Sequence, residues 1–237
     1  PDNAWKRLQE IIRWFDEVQA AGGYRKYYNG SREGSMQGGG TAGGLGLDRD
    51  PAWRFSGDGL DSLEDVRDLG GVPFAAHPFS ARADLRWNGW DLPGPWGIEL
   101  LHGDSDARRA GPRVLITAGL YRLNPGYALL RGLPAPEEAL RRWDEMLAKR
   151  DVVGLAGSDA HSRLALTKRW AIRFPSYESL FAQARNHLLL DRALGGDAVA
   201  DRAAVLDAFR RGRFYLGLDA LAPADGFRFT LETREGQ

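Results

Sequence analysis

The chain has no cysteine among its 237 residues. Disulfides and thiolate metal sites are therefore excluded, and any metal must be held by histidine and carboxylate. The lack is compatible with any compartment, with the cytoplasm slightly favoured. Charge of one sign is missing too: lysine plus arginine and aspartate plus glutamate stand at 32 each. A zero net charge argues against non-specific binding of nucleic acid or another polyanion. No apolar stretch approaches the ~20 residues of a transmembrane helix, so no membrane partner is expected. Histidine is scarce. His77, His102, His161 and His187 are all there are, and the first 76 residues contain none. Beginning at Pro1, without Met or a basic and apolar leader, the chain reads as a fragment from which a signal peptide could be missing. With 43% hydrophobic and 27% charged residues, it is long enough to bury a sizeable core as one large or two small domains.

What is present is concentrated at the ends of three apolar runs. Asp151-Val152-Val153-Gly154-Leu155-Ala156 leads into Gly157-Ser158-Asp159-Ala160-His161. Residues two apart on a strand point the same way, so Asp159 and His161 can grip one ion. A carboxylate oxygen and an imidazole nitrogen suit Zn, Mn or Fe. Taken alone, Asp-x-His also describes a turn carboxylate beside a hydrogen-bonded imidazole. The context is a second run, Gly71-Val72-Pro73-Phe74-Ala75-Ala76, ending in His77-Pro78, and a third, Gly97-Ile98-Glu99-Leu100-Leu101-His102. Three strand-like runs thus deliver His77, Glu99 or His102, and Asp159 with His161 to what could be one end of a sheet. Strand ends are where parallel α/β folds place their chemistry.

The motifs AHP, GIELLHGDS and GSDAH, in this order, resemble the PHP (polymerase and histidinol phosphatase) superfamily of metal-dependent phosphoesterases, most of all the subgroup with the CehA/McbA-type hydrolases. The likeness extends through PEEALRRWDEMLAKRDVVGLAGSDAHS and the tail, covering about residues 60 to 233. It implies a distorted (β/α) barrel with a bi- or trinuclear metal site that hydrolyses phosphoesters or related esters. The departure is as informative. Members of the superfamily begin with a His-x-His strand, then an Asp-His strand end and a glutamate before the AHP strand, and none of these occurs here. By motif, only His77, Asp159 and His161 carry over as metal ligands. His102 stands where relatives often have Asn. Three ligands can hold one ion with an open position, but not a two- or three-metal cluster.

The first fifty residues read differently. Trp5, Leu8, Ile11, Ile12, Phe15 and Val18 recur at helical spacing, with Asp2 or Asn3 as cap and Gly22-Gly23 as stop. The following stretch, rich in glycine and aromatic residues, has no clear period. Together, about residues 3 to 48 faintly resemble the end of the catalytic domain of bacterial six-hairpin, (α/α)6-type glycosidases. Gly38, Gly40 and Gly43 satisfy G-x-G-x-x-G, but no strand precedes them and no acidic residue follows a βαβ unit, so a glycine-packed loop is expected rather than a dinucleotide site. The reading is therefore an N-terminal helix and Gly-rich segment over 1–50 and a partial PHP-like hydrolase domain over 60–237. Two unrelated pieces would join near residues 48 to 60.

The remainder is placed coarsely. A helix over 61–69 leads into the His77 strand. Trp87, Trp90 and Trp96 lie on a loop that either walls a substrate pocket or covers the core. Residues 112–130 suggest two short helices broken at Asn124-Pro125-Gly126. Pro136 opens a helix to Arg150 with Leu140, Trp143, Met146 and Leu147 on one face. Helices are expected over 176–187 and 199–211 and strands over 213–218 and 226–232. His187 would then sit at a helix C-terminus, and the basic run around Arg210, Arg211 and Arg213 would be a solvated helix end.

The fold expected is α/β, an incomplete barrel. Its sheet would be open, with the 72–77 strand at an edge or covered by the N-terminal helix and Gly-rich segment. The function expected is a metal-dependent hydrolase acting on a small phosphoester or ester, impaired by loss of the His-x-His ligands. His77, Asp159 and His161 would hold a Zn, Mn or Fe ion. Glu99 would be a base or a carboxylate that orients a ligating imidazole, or a hydrogen-bonded strand-end group, and His102 a fourth ligand or proton donor. The alternatives are a non-catalytic relative of the same fold and a carbohydrate-associated fragment with its aromatic loops as sugar platforms.

Overall fold

The computed structural model describes residues 24–28, 41–48, 59–80, 83, 86–94, 96–102, 117, 119–132, 135–158, 164–165, 171–172 and 175–230. The N-terminal helix expected over residues 5 to 18 lies outside them. Strands β1 (Tyr24–Tyr28), β2 (Thr41–Leu45), β3 (Val72–Ala76), β4 (Gly97–His102) and β5 (Gly154–Gly157) form one sheet in that order. β1, β2 and β3 are antiparallel neighbours; β3, β4 and β5 are parallel. Among the described residues the sheet is open and does not close into a barrel. The fold is thus mixed α/β.

The glycine-rich segment, which the sequence left without a period, contributes β2. It pairs with β3 along its whole length, from Thr41 opposite Ala76 to Leu45 opposite Val72. Gly43 is a strand residue there, not a turn. The Phe74 ring lies across Gly43, where a Cβ would run into it, so the small residue is required by a close approach. Pro73 would normally be barred from a central strand. It is accommodated because the parallel ladder to β4 begins one residue later, at Phe74 opposite Gly97.

β3 and β4 are buried almost throughout, as parallel strands covered on both faces are. One face carries Ala75, Ile98 and Leu100, packed with Trp87, Trp96, Ala139 and Met146. The other carries Phe74, Ala76 and Leu155 against Phe209 and Phe214. Helices therefore cover both faces. Helix α1 (Gly59–Asp68) buries Leu63 and Val66. It ends on Gly70, whose φ of 77° allows the Gly71 N–H to reach the Val66 carbonyl and the Gly70 N–H that of Arg67, a Schellman stop that turns the chain into β3. Helices α2 (Pro125–Gly132) and α3 (Glu137–Leu147) lie between β4 and β5 in the chain. In α3 the inward residues are Ala139, Trp143 and Met146, whereas Leu140 and Leu147 are exposed. The buried stripe follows i, i+4, i+7 from Ala139 and not from Leu140.

Two of the loop tryptophans belong to the core: Trp87 and Trp96 are 2% and 3% exposed. Arg150 lies over the Trp96 ring, 4.2 Å from its centroid, and donates to the Gly94 and Trp96 carbonyls. Burial pulls its guanidinium below the ordinary arginine range.

The tail departs from expectation. The helix foreseen over 176–187 is only α4 (Tyr177–Phe181), and β8 (Arg185–Leu188) follows, paired antiparallel with β9 (Phe214–Gly217). His187 is thus a strand residue. The short β6 (Leu164–Ala165) and β7 (Ala171–Ile172) pair with each other. Helix α5 (Ala198–Arg210) starts where the Asp197 side chain accepts from the Val199 and Ala200 N–H groups. Residues 226–230 are not a strand. The basic run is tied down: Arg210 donates to the Gly70 carbonyl, Arg211 pairs with Asp207, and Arg213 forms a fork with Asp191. No helix among the described residues is long and apolar enough to cross a membrane.

Gly43→Ala should lower stability by about 1–3 kcal/mol through overpacking against Phe74, read from the urea midpoint. Gly119→Ala, where a Cβ meets nothing within 4 Å, should leave it unchanged or slightly raised. Equal midpoints for the two variants would contradict the β2–β3 pairing.

Candidate functional site

Because β3, β4 and β5 are parallel, their C-terminal ends lie side by side. His77 follows the last residue of β3, Glu99 and His102 belong to β4, and Gly157 closes β5 opposite His102. His77, Glu99 and His102 are all buried, at 3%, 3% and 4% exposure.

Residues three apart on a regular strand point to opposite faces. Glu99 and His102 nevertheless meet, because the pairing of β4 with β5 shifts register between Glu99 and Leu101. Such bulges re-aim side chains beside sites. The Glu99 carboxylate then accepts the His77 backbone N–H at 2.6 Å, and the His102 Nε2 stands 3.5 Å from the same Glu99 oxygen. The His77 and His102 rings meet edge to face, with centroids 4.9 Å apart. Against the other Glu99 oxygen lies Gly157, where a Cβ would overlap it. The backbone of β5 thereby closes over the carboxylate.

His77 has φ of 34°, a left-handed conformation that costs a non-glycine residue about 1–3 kcal/mol and collects at functional sites. The buried hydrogen bond from its own N–H to Glu99 offsets that cost. Next to these groups is a cavity of about 30 Å³ lined by His77, Ser80, Glu99, His102 and Glu138 among others. It has room for one or two waters. The sequence reading did not include Ser80 or Glu138. Ser80 comes in with the turn after β3, where its N–H donates to the His77 carbonyl, and Glu138 belongs to the first turn of α3. A serine three residues after a strand-end histidine was the only available signal for the first; nothing singled out the second.

The predicted ligands fall into two groups. His77 lies in this cavity, beside the predicted catalytic pair Glu99 and His102. Asp159 and His161 lie outside the described residues. Among the described residues no group of three or more His, Asp or Glu is arranged to hold a metal ion. His77, Glu99 and His102 converge, but Glu99 is engaged in fixing the strand ends. His187 is elsewhere, on β8, with its Nε2 at 3.0 Å from Asp219. No family model matches the sequence, and it matches no curated protein and no solved structure.

Glu99→Ala removes the acceptor of the buried His77 N–H and should cost about 1–3 kcal/mol beyond Glu99→Gln, whose amide oxygen can still accept. Equal losses in urea unfolding would show that this hydrogen bond does not hold the site.

Proposed function

We propose that the chain is a metal-dependent hydrolase of small phosphoesters or related esters, its α/β domain an incomplete distorted (β/α) barrel of PHP type. The observation that carries this reading is the convergence of His77, Glu99 and His102 in one buried cavity at the ends of parallel strands. β5 ends beside that cavity, with Gly157 against Glu99. From Ser158 the chain needs one residue to reach Asp159 and three to reach His161, at most ~11 Å of extended backbone. His77, Asp159 and His161 would hold a Zn, Mn or Fe ion, a nitrogen and oxygen donor set that suits these metals. When bound, the ion would polarise a phosphoryl or carbonyl oxygen and lower the pKa of water. Glu99 fixes the backbone that carries the His77 imidazole. His102, at the cavity wall, is a fourth donor or hands a proton to the leaving group. The cavity admits water while the ester must lie at its mouth.

Activity is expected to be low, since the ligands of a second ion have no counterpart in the motifs. The engagement of Glu99 by the His77 N–H favours a second reading, a non-catalytic relative of the same fold. The two separate experimentally. The purified chain, loaded with Zn²⁺, Mn²⁺ or Fe²⁺ and dialysed, should retain about one ion, as a three-ligand site allows, and hydrolyse p-nitrophenyl phosphate slowly. Asp159→Asn and His161→Ala should lose both properties, and His187→Ala neither. Retained metal without turnover supports the non-catalytic reading, and undiminished metal and turnover in the Asp159 and His161 variants ends the metal reading.

A further inference from the structure

His187 is held from three sides. Its partner across the β8–β9 ladder is Tyr215, and the two rings stack with centroids 4.8 Å apart and planes within 3°. Its Nε2 lies 3.1 and 3.0 Å from the two oxygens of Asp219. Asp219 is itself buried, its side chain 6% exposed, and also accepts from Arg185 Nη1 at 3.0 Å and from the Ala224 N–H at 3.1 Å. A carboxylate met by a guanidinium, an amide and an imidazole serves as an acceptor, so Nε2 is the ring nitrogen that carries the proton.

In a neutral ring that assignment makes Nδ1 the lone-pair nitrogen. What Nδ1 faces is a second carboxylate: Asp225 Oδ1 stands 3.4 Å away, on a side chain that is 90% exposed. Two electron-pair donors confronting each other call for a cation between them. Two ligands of a tetrahedral ion with bonds of ~2.0–2.1 Å are ~3.3–3.4 Å apart, which is the spacing seen. An imidazole whose far nitrogen donates to a carboxylate is also how metal-ligating histidines are oriented. The loop carrying Asp225 is fastened by the Tyr215 hydroxyl, which donates to the Ala224 carbonyl at 2.7 Å. No third His, Asp or Glu joins these two among the described residues, so water completes the shell.

We infer that His187 Nδ1 and Asp225 form a solvent-open site for a divalent transition ion of the zinc class, oriented by Asp219 and separate from the strand-end cavity. With two protein donors it exchanges its ion readily and loses it on dialysis. The competing occupant is a second proton on Nδ1, which would make the ring an imidazolium paired with both carboxylates.

The test uses the full chain, ¹⁵N-labelled at pH 8, with the ring nitrogens of its four histidines followed by long-range proton–nitrogen correlation and His187 assigned through His187→Gln. Without metal, Nε2 should carry the proton and Nδ1 should not. Zn²⁺ alone should then shift Nδ1 saturably, Asp225→Asn should weaken that response about tenfold or more, and His77→Ala should leave it unchanged. A protonated Nδ1 at pH 8 before zinc is added would assign the site to the proton and overturn the inference. So would a zinc response that Asp225→Asn does not weaken.

Discussion

The Glu99 carboxylate is the group around which the strand ends are arranged. Moving an ionised carboxylate from water into a protein interior costs several kcal/mol unless donors meet it. At 3% exposure, Glu99 needs the His77 N–H, the neighbourhood of His102 and a gap in β5 to sit where it does. Each of these demands a local irregularity. The N–H is turned towards the carboxylate by a left-handed residue just before Pro78. His102 reaches the same end of β4 through a register shift. The gap is Gly157, the one residue type that leaves room for the carboxylate oxygen. A bulge, a strained histidine and a conformationally costly glycine in one place follow from a single buried carboxyl group.

That arrangement needs a complete sheet behind it. His77 follows β3, whose two neighbours are of different origin in the chain: β4, an apolar run, and β2, cut from the glycine-rich segment. The outer side of β5 is served in another way. The Asn186 side chain on β8 accepts the Ala156 N–H at 3.0 Å and donates to the Ala156 carbonyl at 2.9 Å, so an amide side chain takes the place of a peptide group from a further strand. Satisfying both backbone groups of Ala156 leaves one fewer exposed pairing site at the sheet edge, next to the strand that closes over Glu99.

Carboxylate and imidazole meet at two depths in this molecule. At the strand ends His77, His102 and Glu99 are all buried, and the cavity beside them has room for little more than water. On the paired strands β8 and β9 the ring of His187 is gripped as firmly, by Asp219 and Tyr215, yet opens to solvent through Asp225. Burial decides what each can do. A buried site strengthens electrostatic interactions with whatever enters it, whereas a solvent-open one offers fast exchange and weak hold.

The strands at 72–76, 97–102 and 154–157 were legible because a parallel strand covered on both faces must be apolar throughout, and the sequence shows such runs. Helices α1, α3 and α5 were legible; on α3 Trp143 and Met146 face inward as expected, but Leu140 and Leu147 are exposed, and Ala139, too small to stand out beside Leu140, completes the buried stripe. The helix expected over 176–187 failed at its second half: β8 forms there because β9 is available to pair with it, a neighbour about thirty residues away that local propensity cannot see. β2 was illegible for the same reason: Gly43 is a strand residue where the Phe74 ring of β3 fills the space above it, and Gly44 where Val66 does. By itself the sequence determined the donor chemistry, nitrogen and oxygen without sulfur, and the strand ends to which His77, Glu99 and His102 belong. Which carboxylate meets which imidazole was decided only by the tertiary structure. Glu99 finds His77 across 22 residues through parallel pairing and His102 through a bulge, and His187 finds Asp219 across 32 residues through the antiparallel pairing of β8 with β9; contacts set by register have no signature in local spacing.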